Sequence, residues 1–131
     1  QHPENPKFGT IFGPHYLHMS LQLGQKDGFK AEILPYGPEQ IYPGLAALHY
    51  GQTIFEGMKA FHQEDGSVGI FRADLHATRF KLSARRMSMA ELPEEVFLKT
   101  LKAYVDFERE NVPHEKDHAL YLRPLLVASD N

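Results

Sequence analysis

Apolar and polar positions alternate along Tyr16-Leu17-His18-Met19-Ser20-Leu21-Gln22-Leu23, which places Leu17, Met19, Leu21 and Leu23 on one face of a half-buried strand. The stretch before it, up to Gly13, reads as an extended arm carrying Phe8 and Phe12. Gly24 to Gly28 forms a turn, and Phe29 to Ile33 can return as the second strand of a hairpin. Prolines and glycines crowd Pro35 to Gly44, so a loop is expected there. Leu45, Leu48 and Phe55 recur at helical spacing and predict a short helix from Leu45 to Phe55, ended by Gly57. Met58–His62 and Val68–Phe71 flank Gln63-Glu64-Asp65-Gly66-Ser67, and Asp-Gly between two apolar runs signals a hairpin.

Asp74 is expected to cap a helix that runs to about Met87. Proline and two acids at Pro93-Glu94-Glu95 suit the first turn of another helix, which runs to about Glu110. Its apolar stripe is Val96, Leu98, Leu101, Tyr104 and Val105, with Phe97 beside it, and Asn111-Val112-Pro113 stops it. Ala119 to Val127 is expected as the last strand. The order predicts an α+β domain of two layers, a mainly antiparallel sheet packed against helices.

Composition narrows the function classes. The 131 residues suit one domain, and 42% apolar with 24% charged residues is ordinary for a soluble globular chain. A net charge of −3 argues against nucleic acid or an anionic membrane surface as the main partner. No apolar run approaches the roughly 20 residues that span a bilayer. Without cysteine there is no disulfide, redox pair or thiolate zinc site. The start Gln1-His2-Pro3-Glu4-Asn5-Pro6-Lys7 is polar and broken by proline, unlike a secretory signal, so a cytoplasmic, reducing compartment is expected. The absence of an initial methionine suggests a trimmed chain or a piece of a longer one.

Three places break the pattern. Leu75, Arg79, Leu82 and Arg86 share one helical face, which puts Arg79 between two leucines on the expected buried side. A guanidinium there is a snorkelling side chain, an internal ion-pair partner, or a site for phosphate or carboxylate. In the last strand Leu120 and Leu122 mark one face, and Tyr121 and Arg123 fall together on the other. A phenol beside a guanidinium can receive a carboxylate, although the sequence alone favours the plainer account of a strand with one wet face. Pro124 moves that strand towards a sheet edge. Gly57, before Met58-Lys59-Ala60-Phe61, allows a close backbone approach, and Lys59 reads as a surface lysine.

His114-Glu115-Lys116-Asp117-His118 matches H-E-x-x-H, the spacing of a helical zinc hydrolase site. That chemistry needs both histidines on one face of a helix. Here the motif follows Pro113 and runs into the alternating strand, so a polar loop is expected. His15 and His18 point to opposite faces of their strand and cannot chelate together.

Taken together, several blocks resemble the branched-chain amino-acid aminotransferases, pyridoxal-phosphate enzymes of fold type IV. They are Leu48-His49-Tyr50, Phe55-Glu56-Gly57-Met58-Lys59-Ala60-Phe61, Phe71-Arg72-Ala73-Asp74-Leu75-His76-Ala77-Thr78-Arg79 and Ala119-Leu120-Tyr121-Leu122-Arg123-Pro124. The arm Phe8-Gly9-Thr10-Ile11-Phe12 and the loop Tyr42-Pro43-Gly44 fit as well. The resemblance covers nearly the whole chain and implies the N-terminal small domain over residues 1–131, with the catalytic C-terminal domain absent.

It also implies roles. Arg79 matches the arginine that grips the phosphate of pyridoxal 5'-phosphate. Phe55 matches an aromatic wall of the pocket for the aliphatic side chain, and Gly57 a close backbone approach to substrate. Tyr50 matches a tyrosine that reaches the neighbouring subunit's site in a homodimer. Tyr121 and Arg123 match a pair beside the pocket, the arginine meeting the distal carboxylate of glutamate, and Phe8 matches an aromatic pocket residue. The family's cofactor-bearing lysine and most of its phosphate cradle belong to the other domain, so no catalytic residue is expected here, and Lys59 is not that lysine. The implied reaction is a ping-pong exchange of an amino group between leucine, isoleucine or valine and 2-oxoglutarate. It serves amino-acid metabolism and branched-chain biosynthesis, and is not expected from this polypeptide alone. The alternatives are a D-amino-acid aminotransferase or aminodeoxychorismate lyase of the same fold, a zinc hydrolase built on His114 and His118, and a non-catalytic interaction domain.

Overall fold

The computed structural model describes residues 6–129, so the polar start at Gln1–Asn5 lies outside the described residues. The first hairpin forms, but with shorter and shifted strands: Leu21 and Leu23 lie beyond the first strand, Leu23 is exposed, and the return strand starts at Ala31 rather than Phe29. Strand β1 (His15–Met19) pairs antiparallel with β2 (Ala31–Pro35), with Leu17 opposite Ile33. In the arm before it, Phe12 stacks on Tyr36 with ring centroids 4.9 Å apart.

The expected helix from Leu45 to Phe55 is overturned in its second half. Helix α1 (Ala46–Tyr50) stops at Gly51, whose φ of 65° is the left-handed conformation that ends helices. The β-branched pair Thr53-Ile54 then opens strand β3 (Thr53–Phe55). Gly57 therefore ends no helix; it lies between β3 and β4 (Met58–His62). Strand β5 (Val68–Ile70) returns antiparallel along β4 through the Asp65-Gly66 turn, as expected.

Helix α2 (Ala73–Arg86) starts after Arg72, which takes φ 52°. Asp74 is thus not the cap. It sits in the first turn, where its charge still favours the helix dipole. Helix α3 (Glu94–Phe107) follows Pro93, buries Phe97, Leu101 and Val105, and ends in a short 3-10 turn at Arg109–Asn111.

The expected strand from Ala119 to Val127 is two strands, β6 (Leu120–Leu122) and β7 (Leu125–Val127), because Pro124 has no N–H to give the ladder. Strand β6 pairs with β4 at the edge of a three-stranded sheet ordered β5-β4-β6, and β7 pairs with β3. One register runs through both pairings, with Phe55 opposite Leu125 and Met58 opposite Leu122. Residues 53–60 and 120–127 thus form one antiparallel ribbon interrupted at Pro124, where the Glu56 N–H still donates to the Pro124 carbonyl at 2.9 Å.

The ribbon's inner row, Ile54, Met58, Ala60 and Leu122, packs on Ala77, Phe80 and Ala84 of α2 and on Phe97, Leu101 and Val105 of α3. This is the two-layer α+β arrangement that the pattern predicts. The buried face of α2 is not the expected one. Leu75, Arg79 and Leu82 lie on the exposed side, and the small Ala77 and Ala84 with Phe80 face the core. Both stripes keep helical spacing, and the alanines allow the helix to approach the sheet closely, so packing selects them.

Candidate functional site

Alternation along the ribbon builds the site. Thr53, Phe55 and Lys59 point outwards, and Ile54, Glu56, Met58 and Ala60 are buried. On the facing strand Tyr121 lies opposite Lys59. The shared register sets Arg123 across from Gly57. Tyr121, Arg123, Phe55 and Gly57 are thereby neighbours on one outward face, as cross-strand and diagonal pairs.

Their contacts are specific. The Arg123 guanidinium lies 4.5 Å from the centroid of the Phe55 ring and donates from Nη2 to the Tyr121 hydroxyl oxygen at 2.8 Å. That bond leaves the Tyr121 O–H free to donate elsewhere. Phe8 packs edge-on against Tyr121 with centroids 4.7 Å apart. A Cβ at Gly57 would collide with the Tyr121 hydroxyl, so only glycine lets the phenol lie over the strand there. The result is an apolar wall, Phe8 and Phe55, beside a phenol and a guanidinium that can together take a carboxylate.

Arg79 is not a member of that group. It approaches from α2 on the inner side of the ribbon and meets Glu56, which alternation turns into the core row between Ile54 and Met58. Arg79 donates from Nε to Oε1 and from Nη2 to Oε2 of Glu56, both at 2.6 Å. His76 lies one turn earlier, with Nδ1 2.8 Å from Oε2. Glu56 is 2% exposed, whereas the Arg79 side chain is 66% exposed. The arginine stands at the rim and the carboxylate behind it. Burial pushes the Glu56 carboxyl up, but the hydrogen bonds from Arg79 and His76 outweigh that and hold it below the usual carboxylate range. The same hydrogen bond with Glu56 raises Arg79.

Reading the sequence missed Glu56. The signal was present as a carboxylate in an otherwise apolar row, Ile54-x-Glu56-x-Met58-x-Ala60, but assigning helix up to Phe55 concealed it. Tyr50 stands apart from both groups at the end of α1, 84% exposed, its ring tilted against His49. The H-E-x-x-H residues form a turn between the 3-10 segment and β6, and His114 stacks on His62. The single helix that would set His114 and His118 on one face is not there. A concavity of about 910 Å³ under the first hairpin touches Arg123 but not Phe55, Arg79 or Tyr121.

No family model matches the chain. Its fold is similar to that of the branched-chain amino acid aminotransferase of Escherichia coli, with a TM-score of 0.58 at 24% identity over 76% of this chain and 30% of that one. It is also similar to the branched-chain amino acid aminotransferase of Thermobaculum terrenum in its PLP form, with a TM-score of 0.52 at 23% identity over 72% of this chain and 29% of that one. The fold is that of the α+β small domain of fold type IV aminotransferases.

Sequence comparison is more specific. The chain is 41% identical to the branched-chain-amino-acid aminotransferase of Mycolicibacterium smegmatis over 96% of its own length and 34% of that protein's. It is 38% identical to branched-chain-amino-acid transaminase 1 of Bacillus subtilis over 98% of its length and 36% of that protein's. The chain spans about a third of the length of these curated relatives. Over that third it is a homologue of the branched-chain-amino-acid aminotransferases.

Proposed function

We propose that this chain is the N-terminal small domain of a cytoplasmic branched-chain amino-acid aminotransferase and supplies one wall of its substrate pocket and one phosphate contact. The observation that carries the reading is Phe55, Tyr121 and Arg123 in mutual contact on one sheet face, within a chain homologous to those enzymes along nearly its whole length. One pocket has to accept leucine-like and glutamate-like substrates in turn. Phe8 and Phe55 offer the aliphatic side chain an apolar surface, and the Arg123–Tyr121 pair offers the distal carboxylate of glutamate or 2-oxoglutarate its hydrogen bonds. The cation–π contact restrains the Arg123 guanidinium at the rim, where it can meet a carboxylate without being buried.

Pyridoxal 5'-phosphate fits Arg79. Of the five N–H groups on the guanidinium, two are bound to Glu56, which leaves three, two of them side by side on the end edge, for phosphate oxygens. When bound, the coenzyme supplies the electron sink and amino-group carrier of transamination. The remaining phosphate contacts and the lysine that carries the coenzyme belong to a C-terminal domain outside this chain. Tyr50 is assigned to the neighbouring subunit's site in a homodimer, a reading that its exposure on α1 supports.

Selectivity is the test. In the complete enzyme Arg123→Ala should lower kcat/KM for 2-oxoglutarate at least tenfold more than for leucine, the loss expected for one charge-assisted pair. Equal losses for both would make Arg123 structural.

A further inference from the structure

We infer that Glu56 is a positioning residue for the phosphate contact: its buried carboxylate clamps the side edge of Arg79 and leaves the adjacent end edge to be presented to an anion. The inference rests on the aminotransferase reading above and deepens it.

Three observations carry it. First, Glu56 occupies a core position in the ribbon, where an apolar side chain would be the cheaper choice. Second, both of its oxygens are engaged, each by a donor of the same guanidinium, and His76 takes a further place on Oε2. No described buried side-chain polar atom lacks a partner, so this ion pair is complete without any ligand. Third, the donors used are Nε and Nη2, the side edge of the guanidinium. The adjacent end edge, Nη1 with the second N–H of Nη2, is left unused by the ion pair on a side chain that is 66% exposed, and its two parallel N–H groups match two oxygens of a phosphate.

The pairing has two opposed consequences for an anion. The Glu56 charge offsets that of Arg79 and weakens the long-range attraction. The clamp removes the rotamer freedom of an exposed arginine, so binding no longer has to order it. Orientation is the larger effect if Glu56 is a positioning residue, and charge offset is the larger if it is not. Removing the carboxylate charge therefore changes phosphate affinity in opposite directions under the two accounts.

The test compares two probes that differ only by the phosphate, pyridoxal 5'-phosphate and pyridoxal, with dissociation constants measured on the complete enzyme. Arg79→Ala should cut the preference for the phosphorylated probe at least tenfold. Glu56→Gln should cut it about fivefold while leaving pyridoxal itself within about twofold, because only the phosphate end is disordered. An unchanged or increased preference in Glu56→Gln, alongside a loss in Arg79→Ala, would overturn the positioning role and leave the aminotransferase reading intact. A full preference retained in Arg79→Ala would sink the phosphate assignment itself. Should Glu56→Gln fail to fold, the wild-type protein carries the test. The Arg79 Nε–H resonance should be resolved and slow to exchange with water near neutral pH, and should stay so when inorganic phosphate is added. A resonance merged with those of mobile arginines would overturn the clamp.

Discussion

Glu56 and Glu108 are two carboxylates with the same degree of burial and a similar first partner, yet they do different work. Glu56 is 2% exposed and meets His76; Glu108 is 1% exposed and meets His15 at 2.6 Å. Around Glu108 the partners are an imidazole and an amide, not a guanidinium. Asn111 donates to its second oxygen at 2.6 Å, and the Tyr104 hydroxyl donates to the His15 carbonyl at 2.8 Å. The cluster ties the first hairpin to the end of α3. Burial, and then the nearby Glu108 charge, push the Tyr104 hydroxyl up. Around Glu56 the extra partner is an arginine with most of its surface in solvent. A buried carboxylate is therefore no mark of a site by itself. What matters is whether its partner keeps donors to offer outwards.

The sharpest way to break this comparison is to remove each carboxylate. Glu108→Ala should lower unfolding free energy by roughly 3 kcal/mol, the scale for one lost member of a buried polar cluster, with urea unfolding as the measurement. It should leave the preference for pyridoxal 5'-phosphate over pyridoxal unchanged, in contrast to Glu56→Gln. A change in that preference would make the two clusters equivalent and remove the distinction.

Gly57→Ala sharpens it from the other face of the ribbon. The added methyl displaces the Tyr121 phenol and with it the Arg123 contact. In the complete enzyme of the proposed function, KM for 2-oxoglutarate should rise several-fold with little change in thermal stability, because the far end of Tyr121 can swing away. A large drop in melting temperature with KM unaltered would assign Tyr121 to packing.

The smallest effect is in acid. The Glu56 carboxyl is held below its ordinary value, so the stability it contributes is complete above its unfolded value of about 4.3 and is lost as pH falls through the lower folded value. The stability difference between wild type and Glu56→Gln should be flat above that pH and shrink below it. A difference that grows on acidification would reverse the sign of the shift and count against the ion pair.

Parts of this arrangement were legible in the order of residues. Asp65-Gly66 between two apolar runs marked the β4–β5 hairpin, and Pro93-Glu94-Glu95 marked the start of α3. Tyr121 and Arg123, two apart on a strand, had to share a face, and Pro124 had to weaken the ladder beside them. Phe55, Gly57, Tyr121 and Arg123, which the structure brings together, were each singled out, and so was Arg79, which lies apart from them on Glu56. The reason given for Arg79 was mistaken, since it lies on the exposed side of α2 and is held by an acid on a strand read as helix. Two apolar stripes on one helix cannot be ranked by periodicity, because both satisfy it.

Local chemistry sufficed wherever a residue acts on its own backbone or its nearest neighbours in the chain: proline withholding a donor, glycine turning left-handed, side chains alternating across a strand. Folding alone decided which stripe of α2 meets the sheet. It also decided that Glu56 closes on His76 and Arg79 some twenty residues away, and that Phe8 lies against Tyr121 at the far end of the chain. Those pairings depend on how closely two surfaces can approach and on which buried charge has no other partner, and both are properties of the assembled layers.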